Sequence, residues 1–270
     1  MKKYYYLFLI ILPVALACEE AIDVELPTSD SRLVVDALIG YNENNDDPIT
    51  IGQVKLTLTA PFLAEQVPVP ENASVQIIDN TSGEIFELVE QEPGIFIDGF
   101  PNLEFNKSYN LRIVYNDEIY IATEELVRTG TLISVEQGDG FLFDEQIETE
   151  VKVNFSDIVN ERNYYLFSFG FDNYLVTDDE FYQDSNLNFS YYYENIDPGD
   201  LISVTLLGID KEFADYVDQT LSQSGDGGGG PFSTVPATVR GNIMNVSDPE
   251  NIAFGYFSIS EFDIAVLTVE

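Results

Sequence analysis

The chain has 270 residues, of which 48 are acidic, 11 are basic and none is histidine, so its formal charge at neutral pH is −37. A field of this sign repels phosphate backbones, which argues against nucleic acid as a partner. Since 45% of the residues are hydrophobic and 13% are aromatic, the composition is that of a folded protein and not of a disordered acidic one.

Residues 1–17 have the organisation of a signal peptide. Lys2 and Lys3 form a positively charged n-region, the apolar h-region extends from Tyr4 to Leu16, and small residues follow it. This apolar run is shorter than the roughly 20 residues that a helix needs to cross a bilayer. We therefore expect the segment to be removed after export.

Residues 14–18, with the sequence VALAC, resemble a bacterial lipobox, although Ala15 stands where leucine is usual. In a lipobox the cysteine thiol is alkylated with diacylglycerol and the preceding peptide bond is cut. Cys18 is the only cysteine of the chain, so we predict it to be the lipid attachment residue, and the mature protein then has no internal disulfide.

Residues 18–31 are expected to form an acidic tether between the lipid and the first strand. Glu19, Glu20 and Asp23 follow the cysteine closely. Acidic residues at this position resemble the signal that sends many Bacteroidetes lipoproteins to the outer face of the outer membrane. A tether that is merely solvated is the alternative, so the face of the membrane stays open.

Residues 32–127 are predicted to form an immunoglobulin-like β-sandwich. Short segments in which β-branched or aromatic residues alternate with polar ones are typical of half-buried strands. Turn residues separate them, as in Asn80 to Gly83 and in Pro93-Gly94. About seven short strands in roughly 100 residues are typical of such a sandwich. The clearest predicted strands are 33–39, 54–59, 75–78, 85–88, 109–115 and 119–123.

Residues 128–270 are predicted to form a second β-rich domain with one amphipathic helix, so that the protein is mostly β. Phe213, Tyr216, Val217 and Leu221 have helical spacing, which predicts a helix over residues 210–222 with Asp210 as its N-cap. The glycine-rich residues 225–230 are interpreted as a flexible loop. The chain is expected to end in a hairpin of two strands, 253–260 and 264–269.

The absence of histidine removes the Ser-His and Cys-His mechanisms and imidazole zinc sites, and Cys18 is consumed by lipid. Carboxylates remain, for glycoside cleavage or for Ca²⁺ ligation. The acidic segments 42–47 and 178–180 lack the spacing of a calcium loop and are interpreted as solvated loops, so a metal site stays unassigned.

Four tyrosines offer a second binding chemistry, because aromatic faces pack against pyranose rings. The alternative is that alternate tyrosines in a strand pack on a sheet. The residues concerned are Tyr182, Tyr191, Tyr192 and Tyr193.

Several short motifs, in their order and approximate spacing, resemble the Bacteroidetes lipoproteins catalogued as domain of unknown function 4249. The resemblance covers nearly all of the mature chain. Besides the acidic segment after Cys18, the motifs are 33–37 (LVVDA), 67–75 (VPVPENASV), 109–113 (YNLRI), 231–232 (PF), 239–243 (VRGNI) and 254–258 (FGYFS).

This resemblance implies an outer-membrane location and a partnership with a TonB-dependent receptor in uptake or surface assembly, and it carries over no catalytic residue. We therefore expect a lipid-anchored binding or accessory protein that is not an enzyme and needs no cofactor. A carboxylate-dependent glycoside hydrolase, or another hydrolase, is the first alternative. A purely structural surface module is the second.

The lipobox predicts that Cys18→Ser abolishes acylation, because a serine oxygen does not replace the thiolate as lipid acceptor. Metabolic labelling with a fatty acid, compared between wild type and variant, measures this. Equal label in the two proteins would contradict the lipid attachment.

Overall fold

A computed structural model describes residues 30–43, 48–61, 64, 66–171, 173–223 and 238–270. Residues Ser31–Glu270 form one compact unit. Cys18, the acidic tether up to residue 29, residues 44–47 of the first acidic segment and the glycine-rich loop 225–230 lie outside the described residues.

The described part is mostly β, with three sheets and one helix, as the sequence predicts. The helix α1 is Lys211–Gln223. The strands are β1 Leu33–Asn42, β2 Ile49–Leu58, β3 Ser74–Asp79, β4 Ile85–Glu87, β5 Val89–Glu92, β6 Ile95–Asp98, β7 Ser108–Tyr115, β8 Glu118–Glu125, β9 Thr131–Gln137, β10 Glu148–Ser156, β11 Tyr164–Ser168, β12 Tyr174–Asp178, β13 Asn186–Glu194, β14 Leu201–Ile209, β15 Met244–Asn245 and β16 Phe254–Thr268.

An eight-stranded sheet is the central layer, in the order β12-β11-β14-β16-β1-β2-β6-β5. The other sheets have the orders β15-β8-β7-β3-β4 and β13-β10-β9. Strand β1 pairs antiparallel with β2 and parallel with β16, and β14 pairs antiparallel with β16. Four strands from the second half of the chain and four from the first therefore form one layer, and the two groups meet at the β16–β1 pair.

Strand β16 is one continuous strand of 15 residues, so the predicted C-terminal hairpin is wrong. The first half, from Phe254 to Glu261, pairs with β1, and the second half, from Phe262 to Thr268, pairs with β14. The joint at residues 261–263 (EFD) contains none of the glycine, proline or asparagine that a tight turn needs. The change of partner, and not a turn, separates its two halves.

Two apolar cores lie on the same face of the central sheet. In the first, side chains such as Val35, Phe257 and Ile259 pack against the five-stranded sheet. In the second, side chains such as Val204 and Leu206 pack against the three-stranded sheet. The predicted domains 32–127 and 128–270 thus share one central sheet, and their boundary as folding units stays a prediction.

Helix α1 packs on the opposite face of the central sheet. Asp210 Oδ1 accepts the amide of Phe213 at 2.6 Å, which confirms Asp210 as the N-cap. Phe213 is buried against Tyr256 with 4.8 Å between ring centroids, and Tyr216 and Val217 are half-buried beside it. The predicted helix and its apolar face are confirmed.

Within the described ranges, no helix has the length and apolar composition that a membrane crossing requires.

We predict that Phe213→Ala lowers the free energy of unfolding by about 3–5 kcal/mol, since truncation of a buried aromatic loses its burial and leaves a cavity. Asp218→Ala on the exposed face of the same helix is the matched control and should change stability little. Chemical denaturation of both variants measures the difference. If the two variants were equally stable, the packing of Phe213 against the central sheet would not contribute to stability.

Candidate functional site

The predicted acidic segment 178–180 surrounds one cation. Arg162 lies 3.1 Å from Asp178, 3.7 Å from Asp179 and 3.3 Å from Glu180, measured between side-chain nitrogen and oxygen atoms. Asp179 is fully buried and also accepts the amide of Asn163 at 2.9 Å. These carboxylates neutralise an arginine of the fold. Among the described residues, no group of three or more acidic, histidine or cysteine side chains is arranged to hold a metal ion.

The described part of the other acidic segment also has a structural role. The side-chain amide of Asn42 donates to the carbonyl of Phe262 at 2.7 Å and is buried. This bond ties the end of β1 to the middle of β16. The neighbouring Glu43 is exposed at the end of the strand.

The four tyrosines of the stacking hypothesis are divided by the structure. Tyr182 packs edge-on against Phe155, with 5.8 Å between centroids, and belongs to the second core. Tyr192 lies on the other face of β13, with its hydroxyl 3.5 Å from Glu150 Oε1. Tyr191 and Tyr193, together with part of Tyr192, line a cavity at the end of the strand.

Three connections meet at this end of the second core, and we call them together the loop end. They are the β9–β10 loop (residues 138–147), the β11–β12 turn (Gly170, Phe171 and Asn173) and the β13–β14 connection (residues 195–200). The hydroxyl of Tyr193 donates to the carbonyl of Phe169 at 2.8 Å, and the amide of Asn195 donates to the carbonyl of Ile147 at 2.9 Å. These bonds connect β13 to both neighbouring loops.

The β9–β10 loop presents three consecutive apolar side chains to solvent. Phe141 and Leu142 are exposed, and Phe143 is 89% exposed. The backbone below them is fixed, because Glu148 Oε2 accepts the amides of Leu142 at 2.6 Å and Phe143 at 3.1 Å. Charge-assisted hydrogen bonds of this kind are stronger than neutral ones. The loop thus holds an apolar tip in a defined shape.

Glu150 supports the same loop from the neighbouring position on β10. Its carboxylate accepts the amide of Gly140 at 2.8 Å and the hydroxyl of Ser190. These two hydrogen bonds, with Lys152 nearby, hold the pKa of Glu150 below its ordinary value. The carboxylate of Glu150 therefore stays ionised at neutral pH and keeps its hydrogen bond to the loop.

The cavity of the loop end has a volume of about 500 Å³ and lies between the β11–β12 turn and the β13–β14 connection. Phe171 at its rim is 73% exposed and has a φ of 52°, in the left-handed region that a bulky side chain rarely adopts. The turn is held by Asn173, whose amide side chain donates to the carbonyls of Gly170 and Phe171, both at 3.2 Å. The backbone that carries this exposed ring is thus held at the rim of the cavity.

A second polar site joins residues that are distant in sequence. Glu124 on β8 interacts with Asp210 at the N-terminus of α1, and Asn242 donates to Glu124. Burial, then repulsion by Asp210, raises the pKa of Glu124 to about 8. The hydroxyl of Tyr256 is buried in this charged surrounding and has no hydrogen-bond partner within the described chain.

This carboxyl pair is unsuited to glycoside cleavage. The two catalytic carboxyls of a glycosidase stand about 5–9.5 Å apart on either side of a cleft, so that the sugar lies between them. Glu124 and Asp210 instead share a hydrogen bond, and Asp210 also caps α1. Glu124, with its raised pKa, therefore holds a proton beside the N-terminus of the helix.

A cleft of about 430 Å³ beside Asp210 collects three cations, Arg128, Arg162 and Lys211. Each of them is already engaged. Arg128 lies over the ring of Phe105 at 4.6 Å, Lys211 pairs with Asp215, and Arg162 is held by the acidic segment 178–180. The lining also contains three carboxylates, Glu125, Glu161 and Asp210, so the cleft offers an anionic ligand no surplus positive charge.

The raised pKa of Glu124 predicts a pH-dependent stability. The folded state binds this proton more tightly than the unfolded chain, whose ordinary value is 4.5. The stabilisation is therefore complete below about pH 4.5 and is lost as the pH rises towards 8. Thermal unfolding of wild type and Glu124→Gln between pH 5 and 8.5 measures it.

In this comparison the wild type should lose stability relative to Glu124→Gln as the pH rises. Glu125→Gln, a change at the exposed neighbouring residue, is the control and should follow the wild type. Parallel curves for all three proteins would show that Glu124 titrates normally.

Comparisons with known proteins assign the chain to a family but give it no function. A structure of a DUF4785 family protein from Legionella pneumophila subsp. pneumophila str. Philadelphia 1 has 9% identity and a TM-score of 0.21, with 65% of this chain and 52% of that chain covered. This chain thus spans about half of the length of the Legionella protein. The chicken interferon gamma receptor alpha chain has 11% identity and a TM-score of 0.20, with 67% and 90% covered.

Scores of this size support no argument about fold or function. No curated protein matches the chain. The model of a domain of unknown function, DUF4249, matches residues 19–263. That match includes nearly all of the described residues and the whole loop end, and the chain therefore belongs to the DUF4249 family.

Proposed function

We propose that this protein is an exported Bacteroidetes lipoprotein, anchored in the outer membrane through Cys18, which binds a partner and catalyses no reaction. The partner that we propose is a TonB-dependent receptor acting in uptake or surface assembly. The N-terminal sequence supports the anchor, and the apolar tip of the β9–β10 loop carries the binding role. Within this proposal residues 32–127 keep their immunoglobulin-like description, because their own strands pair antiparallel in two layers around the first core, to which β16 also contributes.

The tip at residues 141–143 has the properties of a protein contact. Neighbouring exposed apolar side chains form a patch that a soluble protein leaves uncovered only at a cost in solubility, and such patches mark interaction sites. Aromatic residues are also the side chains that contribute most to binding energy at interfaces. Phe141 and Phe143 are therefore the anchors that we assign to the partner contact.

The surroundings of the tip indicate the chemistry of its partner. Asp139, Asp144 and Glu145 flank the three apolar side chains. Acidic flanks oppose insertion between anionic lipid head groups, for which basic residues are the rule. We therefore expect an apolar pocket with basic residues at its rim, on a protein and not on a lipid surface.

A preformed tip reduces the entropy lost on binding. The carboxylates of Glu148 and Glu150 order the backbone before the partner arrives. Preorganisation of a loop in its bound shape increases affinity mainly by reducing this cost. The acidic residues of β10 thus support the binding role from below the surface.

The test is co-purification of an outer-membrane protein with the native lipoprotein after gentle detergent extraction. We expect Phe143→Ser to reduce recovery of the partner by about 30-fold, because loss of a central aromatic anchor costs about 2 kcal/mol. Phe181→Ser is the matched control, since Phe181 is equally exposed but lies at the opposite end of β13.

Two results would contradict this function. Unchanged recovery with Phe143→Ser would remove the tip from the interface. If no outer-membrane protein were retained by the wild type, the proposed partnership would fail, and a purely structural surface module would be the better description.

A further inference from the structure

The cavity of the loop end is built before any ligand enters. On one side, the amide of Asp197 donates to Asp200 Oδ2 at 3.0 Å, and the amide of Gly199 donates to the carbonyl of Val269 at 2.8 Å. On the other side, Asn173 fixes the turn that carries Phe171. Both walls are therefore rigid, as is usual for small-molecule sites.

Phe171 is held in a conformation that folding alone does not favour. A left-handed backbone costs about 1–2 kcal/mol for an L-residue with a side chain, and glycine would avoid this cost. The exposed ring regains little of it by burial. Strained residues that persist at a cavity rim are a feature of ligand-binding positions.

The tyrosine rings of the lining pack against neighbouring rings and do not form a cage. Tyr191 stacks on Phe169 with 3.9 Å between centroids and planes 5° apart, so its position is fixed. Tyr191 and Tyr193 meet at 76° with only 4.8 Å between centroids. A cation enclosed between perpendicular rings needs about 4–6 Å from each centroid, and two rings in direct contact leave no such space.

The charged residues of the lining are both acidic, Glu194 and Asp200, and its amides are those of Asn173 and Asn195. An anionic ligand would meet repulsion. Carboxylate and amide groups are, however, suitable partners for several neighbouring hydroxyl groups. The volume of about 500 Å³ falls within the roughly 300–1,000 Å³ of small-molecule sites.

We propose that this cavity binds a neutral saccharide, whose ring packs against Phe171 and Tyr191 while its hydroxyl groups bind Glu194, Asn195 and Asp200. The inference rests on the proposed function in one respect, that the loop end is a binding surface. It adds a ligand class at residues other than the apolar tip.

The experiment is saturation-transfer NMR and titration calorimetry of the purified full-length lipoprotein in detergent, with maltose, cellobiose and xylobiose as probes. We expect saturable binding of at least one disaccharide. Phe171→Gly should weaken it at least tenfold without lowering the melting temperature, since glycine fits the left-handed backbone. Phe181→Gly, at an exposed ring remote from the cavity, should leave binding unchanged.

The proposal is overturned if none of the three disaccharides binds saturably, or if Phe171→Gly leaves their affinity unchanged. Saturable binding of choline or of a sulfated sugar, without binding of the neutral disaccharides, would also overturn it. The failure of this proposal is distinguishable from failure of the receptor contact, because Phe143→Ser should lose the receptor and keep the sugar.

Discussion

The shared strand β16 is the feature on which the rest of the described structure depends. Its first half completes the layer over the first core, and its second half completes the layer over the second. The junction is close, since a Cβ atom on Gly255 would lie 1.7 Å from the carbonyl oxygen of Val35, and the φ of Gly255 is 97°. A side chain at this position would separate β1 from β16. Two cores thus rest on one continuous strand.

A continuous central sheet gives the loop end a firm base. The β13–β14 connection is tied to the C-terminus of the chain through the hydrogen bonds between residues 199–200 and Val269. The β9–β10 loop is tied to β10 by the carboxylates of Glu148 and Glu150. Exposed apolar groups are normally mobile and costly, but here the underlying backbone is satisfied. Acidic residues, which make the chain so negatively charged, therefore also order the backbone of the loop end.

The sequence predicts local features well where one segment contains all of the determinants. The helix is an example, because Asp210 as the cap and Phe213 as the buried face lie within four positions of each other. The predicted strand 109–115 is observed as Ser108–Tyr115 for the same reason. The four tyrosines direct attention to the correct strand, because Tyr191, Tyr192 and Tyr193 line the cavity, whereas Tyr182 packs against the second core.

Features that depend on remote partners were beyond prediction from one sequence. The carboxyl of Glu124 meets Asp210 only after β8 and the start of α1 are brought together. The sequence of β16 predicts two strands joined by a turn. In the structure it is a single strand that changes its pairing partner midway, and this change cannot be recognised from the composition. The apolar run 141–143 is visible in the sequence, yet nothing in it distinguishes a buried segment from an exposed tip. That distinction depends on the carboxylates of β10.

Amide hydrogen exchange of the purified protein measures whether the loop end is preformed. If Glu148 and Glu150 hold the tip, the amides of Gly140, Leu142 and Phe143 should exchange at least tenfold more slowly than in an unstructured peptide, although their side chains face solvent. The amide of Leu142 should lose this protection in Glu148→Gln, because a neutral amide oxygen is the weaker acceptor. Exchange of these amides at the unstructured rate in the wild type would contradict the account.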